Sequence, residues 1–415
     1  MSSTDLSPVR RRRVFYIPGY DPFPPRRYRE LYRTQAAEQA GISGYEIAVG
    51  PQQSGDGFGW HVKGHIEGQV IDADIEVLVW SDIVQSSRPP SILQTYLDLL
   101  RTAWIYISTG ALFRLMRLRK GPVIAALYPV VALTGQAILA ALIVYVPVRG
   151  ADFVPLPMSG PLVDAIRTTV GTLLGMWLAW RLLRWFQTHD NRFFAYYLMH
   201  DFAYSAAGYG AYAPELETRL AAFGKTIASA LEDDVDEVLV VGHSSGAHLG
   251  ISILADLLRT GNLRNERPAL AFLSLGHVVP MVSFLPKADR LRGDLRLLST
   301  ATDITWVDVT APGDGCCFAL CDPVAISGQA TPEKRAPLVF SAAFTQSLSA
   351  EKQKALRWRF FRLHFQYLCA FDRPKDYDYF QITAGALSLA DRYKGRAPSK
   401  SRLERSISKH TSVRP

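Results

Sequence analysis

Val238-Leu239-Val240-Val241-Gly242-His243-Ser244-Ser245-Gly246-Ala247 is the stretch on which the reading of this chain turns. The aliphatic, largely β-branched run suits a strand covered on both faces, as in a parallel sheet. Gly242 and Gly246 flank Ser244 where any side chain would collide with neighbouring backbone in a tight strand-to-helix turn. Gly-x-Ser-x-Gly alone is weak, because roughly 0.1 to 0.2 matches arise by chance in about 400 residues at average Gly and Ser usage. Its context adds the weight. Leu249, Ile253, Leu254, Leu257 and Leu258 recur at helical spacing and Gly261 offers a stop, so the turn leads into a helix. A helix that starts at a serine aims unpaired N–H groups and a positive dipole end at the space above it, which favours an anionic tetrahedral intermediate. The N–H of Ser245 is the natural first oxyanion donor.

Working outward, Pro214 to Leu231 is predicted as a helix before the Val238 strand, with strands at Ala269 to Leu275 and Ile304 to Val309 after it. Upstream, Val14 to Ile17 reads as a strand that enters the turn Pro18-Gly19-Tyr20; Arg26 to Ala40 has helical composition and Gly41 is expected to end it. Near alternation between Trp60 and Trp80 predicts a strand pair. Strands that alternate with helices argue for an α/β fold with a mostly parallel sheet.

A serine at neutral pH needs a base, and the base needs a carboxylate to fix its tautomer. Downstream of Ser244, Asp314 lies in Thr310-Ala311-Pro312-Gly313-Asp314-Gly315, just past a late strand; Asp308, within that strand, and Asp322 are its rivals. For the base, His277 directly follows the Ala269 strand and His410 lies in the basic tail, which leaves His364, in Arg362-Leu363-His364-Phe365-Gln366-Tyr367, as the preferred residue. His243 and His248 flank the serine too closely to act as base; His243 is expected to pack against or orient the turn.

The composition points to lipid. Of the 415 residues 48% are hydrophobic, and Gly121 to Pro147 holds no charge; as a helix it spans about 39 Å against a hydrocarbon core of about 30 Å. A second stretch, Leu162 to Leu183, has its charges near the ends and Trp177, Trp180 and Trp185 toward one interface. Trp104 to Met116 is apolar but too short to span, and is expected either in the interface or packed on the domain. Arg114, Arg117, Arg119 and Lys120 precede the first stretch and Arg181, Arg184 and Arg192 follow the second. This bias predicts a two-helix transmembrane hairpin in the cytoplasmic (inner) membrane, with both termini and the remaining domain in the cytoplasm. Met1 to Arg13 has no apolar core behind its basic residues and does not read as a secretory signal. The net charge of +8 comes largely from Arg10 to Arg13, the flanks of the apolar stretches and the tail from Arg392. Attraction to anionic lipid explains it more simply than nucleic acid, for which no basic strip with interleaved aromatics is present. Cys316, Cys317, Cys321 and Cys369 lack paired ligand spacing, so reduced thiols and no metal site are expected; no cofactor is implied, and the sequence carries no signal of oligomeric state. The expected organisation is a basic segment at 1–13, the first part of the domain at 14–120, the transmembrane hairpin at 121–185, the second part at 186–391, and a disordered basic tail at 392–415.

Through Gly242-His243-Ser244-Ser245-Gly246, the turn Pro18-Gly19-Tyr20, Asp314 after a late strand and His364 beyond it, the chain resembles the α/β-hydrolase superfamily, in particular bacterial lipase and esterase-like members. The resemblance implies a hydrolase sheet with the hairpin inserted before the nucleophile strand. It further implies Ser244 as nucleophile, His364 as base, Asp314 as the orienting acid, and the N–H groups of Ser245 and Tyr20 as the oxyanion hole. The substrate would be a carboxylic ester or thioester, lipid-like substrates included. The early turn carries Pro-Gly where many relatives carry His-Gly. The alternative is a non-catalytic membrane scaffold that keeps the fold for binding.

Overall fold

The computed structural model describes residues 8–87, 91–150, 160–261 and 268–413. They form two compact units: one takes in the described residues of 1–86, 106–123 and 208–415, the other those of 87–105 and 124–207.

The first unit is built on an eight-stranded sheet: β1 (Arg11–Ile17), β2 (Glu46–Gly50), β3 (Phe58–Ile66), β4 (Gln69–Val77), β5 (Glu237–His243), β6 (Ala269–Leu275), β7 (Ile304–Thr310) and β8 (Leu338–Ser341), in the order β2-β3-β4-β1-β5-β6-β7-β8. β4-β1-β5-β6-β7-β8 pair in parallel, and β2-β3-β4 form an antiparallel edge. The predicted α/β class and mostly parallel sheet are therefore observed. β5 is buried along its whole length, as its unbroken apolar run requires. β1 lies between β4 and β5, so the chain leaves it toward one side of the sheet and returns on the other. Such a switch opens a crevice at the carboxyl ends of the two strands.

Several expectations change on contact with the structure. Arg11 to Arg13 belong to β1 rather than to a basic leader. Arg12 is buried, donates to Glu237 at 2.6 Å and to the carbonyls of Gly385 and Leu387, while Arg13 pairs with Glu76 at 3.0 Å. These charges are neutralised inside the protein and do not face lipid; removing one partner of such a buried pair costs about 3–5 kcal/mol. The described part of the basic tail is ordered, not disordered. Its backbone is tied down where Leu403 exchanges hydrogen bonds with Leu320 and Asp322, and where Arg292 donates to the carbonyl of Ser412 at 2.6 Å. The early helix continues through Gly41 to Ser43 and is closed by Gly44 at φ 73°, where a left-handed residue returns its N–H to Ala40.

The second unit is helical among its described residues. Lys120–Gly150 and Pro161–Thr188 are each long and apolar enough to cross a bilayer, and their outer faces are largely exposed; the expected hairpin loop lies mostly outside the described residues. The two helices pack antiparallel. A Cβ on Gly175 would meet Val144 Cα at 2.7 Å, and one on Gly171 would meet the Pro147 carbonyl at 2.9 Å. Gly171, Gly175 and Ala179 are the buried residues of the second helix, a small-residue stripe at every fourth position that lets two backbones approach. The Trp104–Met116 stretch is divided between the helices Ile92–Ser108 and Ala111–Leu118.

Candidate active site

The turn after β5 has the geometry its glycines imply. Ser244 sits at φ 58° and ψ −120°, a sparsely populated conformation for a residue with a side chain, and the helix Ser245–Arg259 begins immediately after it. A Cβ on Gly242 would come within 2.6 Å of the Gly246 carbonyl oxygen, and one on Gly246 would overlap the Ile17 carbonyl of β1. Glycine at both positions is what allows strand, turn and helix to close this tightly. The Ser244 N–H donates to the Leu275 carbonyl at 2.9 Å, which fixes the apex against the end of β6.

The early turn meets the same apex. A Cβ on Gly19 would lie 2.9 Å from Ser244 Cβ, so the peptide that follows, whose N–H belongs to Tyr20, runs beside the serine. Trp80 Nε1 donates to the Pro18 carbonyl at 3.0 Å and the Asp21 carboxylate accepts from the Phe23 N–H at 3.0 Å, which holds this turn in place. The Ser245 N–H opens its helix and has no partner one turn earlier.

Asp314 follows β7 and His364 ends the short helix Phe360–His364. Both are buried, and His364 Nδ1 is 2.7 Å from Asp314 Oδ2. This bond leaves Nε2 as the nitrogen able to accept a proton. Burial alone would raise the Asp314 carboxyl, but the adjacent His364 and hydrogen bonds from His364, the Cys316 N–H and Cys317 hold it below its ordinary value. His364 reaches the elbow from above: a Cβ on Gly276, next to Leu275, would come 3.1 Å from His364 Cε1, and the His243 and His364 rings are 4.7 Å apart. No hydrogen bond joins Ser244 Oγ to His364 among the described residues. Thus Ser244, Ser245, Tyr20, Asp314 and His364 converge on one edge of the sheet, beside the crevice between β1 and β5.

The rivals have other employment. Asp308 accepts from Ser274 Oγ at 2.6 Å and burial raises its carboxyl well above the ordinary range. Asp322 caps a short helix through the N–H groups of Val324 and Ala325 and pairs with Lys334 at 2.7 Å. His277 Nε2 donates to the Cys321 carbonyl at 2.9 Å, and burial lowers its pKa to about 4. His410 N–H donates to Ser408 Oγ in the ordered tail. His243 Nε2 donates to the His364 backbone carbonyl at 3.0 Å, so it does orient the site. The sequence reading missed Tyr367, whose hydroxyl donates to Asp314 Oδ2 at 3.1 Å, and the Cys316 N–H, which donates to Oδ1 at 2.9 Å. A polar tip one helical turn after His364 was the available signal for Tyr367.

No family model matches the chain, and neither the curated proteins nor the solved structures give a match.

The donor set also permits a cation. Asp314, Cys316 and His364 each offer a ligand atom within 4.8 Å of the others. Burial and the neighbouring Asp314 keep the Cys316 thiol well above its ordinary pKa, and both Asp314 oxygens already accept hydrogen bonds. An acid-oriented imidazole accounts for Asp314 and His364 with both carboxylate oxygens already partnered.

Proposed function

We propose that this chain is a membrane-anchored serine hydrolase of the α/β-hydrolase type, which cleaves a carboxylic ester or thioester through an acyl-enzyme on Ser244. The observation that carries the reading is the buried His364–Asp314 bond of 2.7 Å at the strand edge that also presents the strained Ser244. In the proposed step, Ser244 Oγ adds to the substrate carbonyl as its proton passes to His364 Nε2. Asp314 stabilises the imidazolium, and the N–H groups of Ser245 and Tyr20 receive the developing oxyanion. The tetrahedral intermediate expels the alcohol or thiol, which takes the proton from His364. Water then repeats the sequence on the acyl-enzyme and releases the acid. The missing Ser244–His364 hydrogen bond is compatible with this, because such contacts often tighten only when substrate is bound.

The membrane part of the reading rests on the two long apolar helices and the basic residues that flank them, with the hydrolase parts on the cytoplasmic side. A lipid-like acyl substrate is supported by the loop after Asp314. A Cβ on Gly121, in the first turn of the helix Lys120–Gly150, would lie 3.3 Å from Gly315 Cα, and Trp358 and Phe360 stand exposed just before His364.

A fluorophosphonate probe tests the nucleophile. Wild-type protein is expected to be labelled and Ser244→Ala unlabelled; equal labelling of the two, or none of the wild type, removes Ser244 from this role. The unbonded Ser244 Oγ is the observation that favours a scaffold instead. If a cellular role persists in folded His364→Ala and Asp314→Asn proteins, the scaffold reading replaces the enzyme.

A further inference from the structure

The helix Ile92–Ser108 has two apolar faces, and one of them is bare. Leu93, Leu97, Leu100, Trp104 and Ile107 are 49–70% exposed, and at about 100° per residue they fall within an arc of about 80°. The other face is packed: Leu99 joins a core with Leu133, Ala195, Tyr196 and Met199, and Thr95 and Thr102 are buried. Five large side chains in one continuous stripe exceed the scattered exposed apolar residues of an ordinary surface.

Two observations say what covers the stripe. The helix is fastened to the long apolar helix Lys120–Gly150, through Leu99 against Leu133 and through Tyr96 OH donating to the Leu133 carbonyl at 3.1 Å. Leu133 lies about 20 Å along that helix from Lys120, within the segment long and apolar enough to span a bilayer, and Val131 and Ile138 around it are exposed. Two polar residues that border the stripe have partners: Gln94 donates to Asp98 at 3.0 Å, and Arg101 donates to the Ala207 carbonyl at 3.1 Å. Satisfied polar groups at the margin lower the cost of leaving water.

We infer that Ile92–Ser108 is a third membrane element, with the Leu93–Leu97–Leu100–Trp104–Ile107 stripe seated in the acyl chains of the leaflet that holds the first part of Lys120–Gly150. It enters the bilayer on one side without crossing it, since its opposite face is occupied by protein. The inference rests on the membrane-spanning part of the proposed function.

The test places single nitroxide labels on the full-length protein in phosphatidylcholine and phosphatidylglycerol vesicles, at Leu97→Cys, Ile138→Cys and the solvent control Lys225→Cys, with wild-type labelling of the native cysteines subtracted. Collision with oxygen is compared with collision with a water-soluble nickel chelate. Positions 97 and 138 are expected to share an oxygen-to-chelate ratio severalfold above that at 225. A ratio at 97 equal to that at 225, with 138 high, overturns the inference and leaves the spanning helix intact. Protection of 97 from both reagents also overturns it, and assigns the stripe to protein such as a second copy of this chain. Low ratios at 97 and 138 together remove the anchor and this inference; a high ratio at 97 with a low one at 138 removes the span and with it the shared leaflet, and so overturns the inference.

Discussion

The Asp314 carboxylate accepts from His364, Tyr367 and the Cys316 N–H, and these contacts differ in what their removal does. His364 Nδ1 takes one oxygen, Tyr367 OH the same oxygen, and the Cys316 N–H the other. In the proposed mechanism Asp314→Asn keeps the shape but reverses the donor pattern toward His364, so the wrong tautomer faces the serine. Its kcat is expected to fall on the order of 10⁴-fold with KM little changed, measured on a chromogenic short-chain ester. Tyr367→Phe removes one donor to the carboxylate and leaves the tautomer alone, so its loss should be on the order of tenfold, close to the net worth of one hydrogen bond to a charged group. A Tyr367→Phe loss as large as that of Asp314→Asn would contradict this ranking. That Asp314 and His364 would meet near Ser244 was legible from chain order and from strand ends. Tyr367 and the His243–His364 tie were not, because a hydroxyl or ring nitrogen declares its partner only after segments 53 and 121 residues apart have met.

At the scale of elements, the elbow was readable because its causes are local: two glycines, an apolar strand and an amphipathic helix within about twenty residues. The charges of Arg12 and Arg13 misled, since a basic run at the start of a chain looks solvent-facing until Glu237 and Glu76 are placed beside it by sheet register. The stripe Gly171-Gly175-Ala179 was present in the sequence and acquires meaning only with the partner helix in view. Gly175→Leu introduces a branched chain where Val144 Cα would sit 2.7 Å from the first added carbon. The helices must then separate, and a loss of about 1–3 kcal/mol is expected, the usual range for overpacking, read by denaturant unfolding in detergent micelles. Leu174→Ala, on an exposed position of the same helix, serves as control and should change little.

For the whole molecule, three of the buried histidines, His243, His248 and His277, contribute to the response to acid. Burial lowers His243 and His248 to about 3 and His277 to about 4, the first also through its neighbour His364. In the unfolded chain they titrate near 6.5. Between these limits the unfolded state binds protons that the folded state refuses, so stability falls as pH drops below about 6.5, by up to about 1.4 kcal/mol per pH unit for each site. Denaturant midpoints measured at pH 7 and pH 5 should show this fall, and His248→Gln, which can keep a contact to Tyr212 without titrating, should make it shallower. An unchanged slope in that variant would mean that His248 takes up its proton in the native protein as readily as in the unfolded chain. β1 stands between β4 and β5 although β5 follows it by more than two hundred residues. During synthesis, Arg12 emerges from the ribosome 225 residues before Glu237, a delay of roughly 10–45 s at translation rates of roughly 5–20 residues per second. Both long apolar helices emerge within that interval, so under the proposed membrane-anchored reading the greasy segments would meet the insertion machinery while one flank of the central strand still lacks a neighbour.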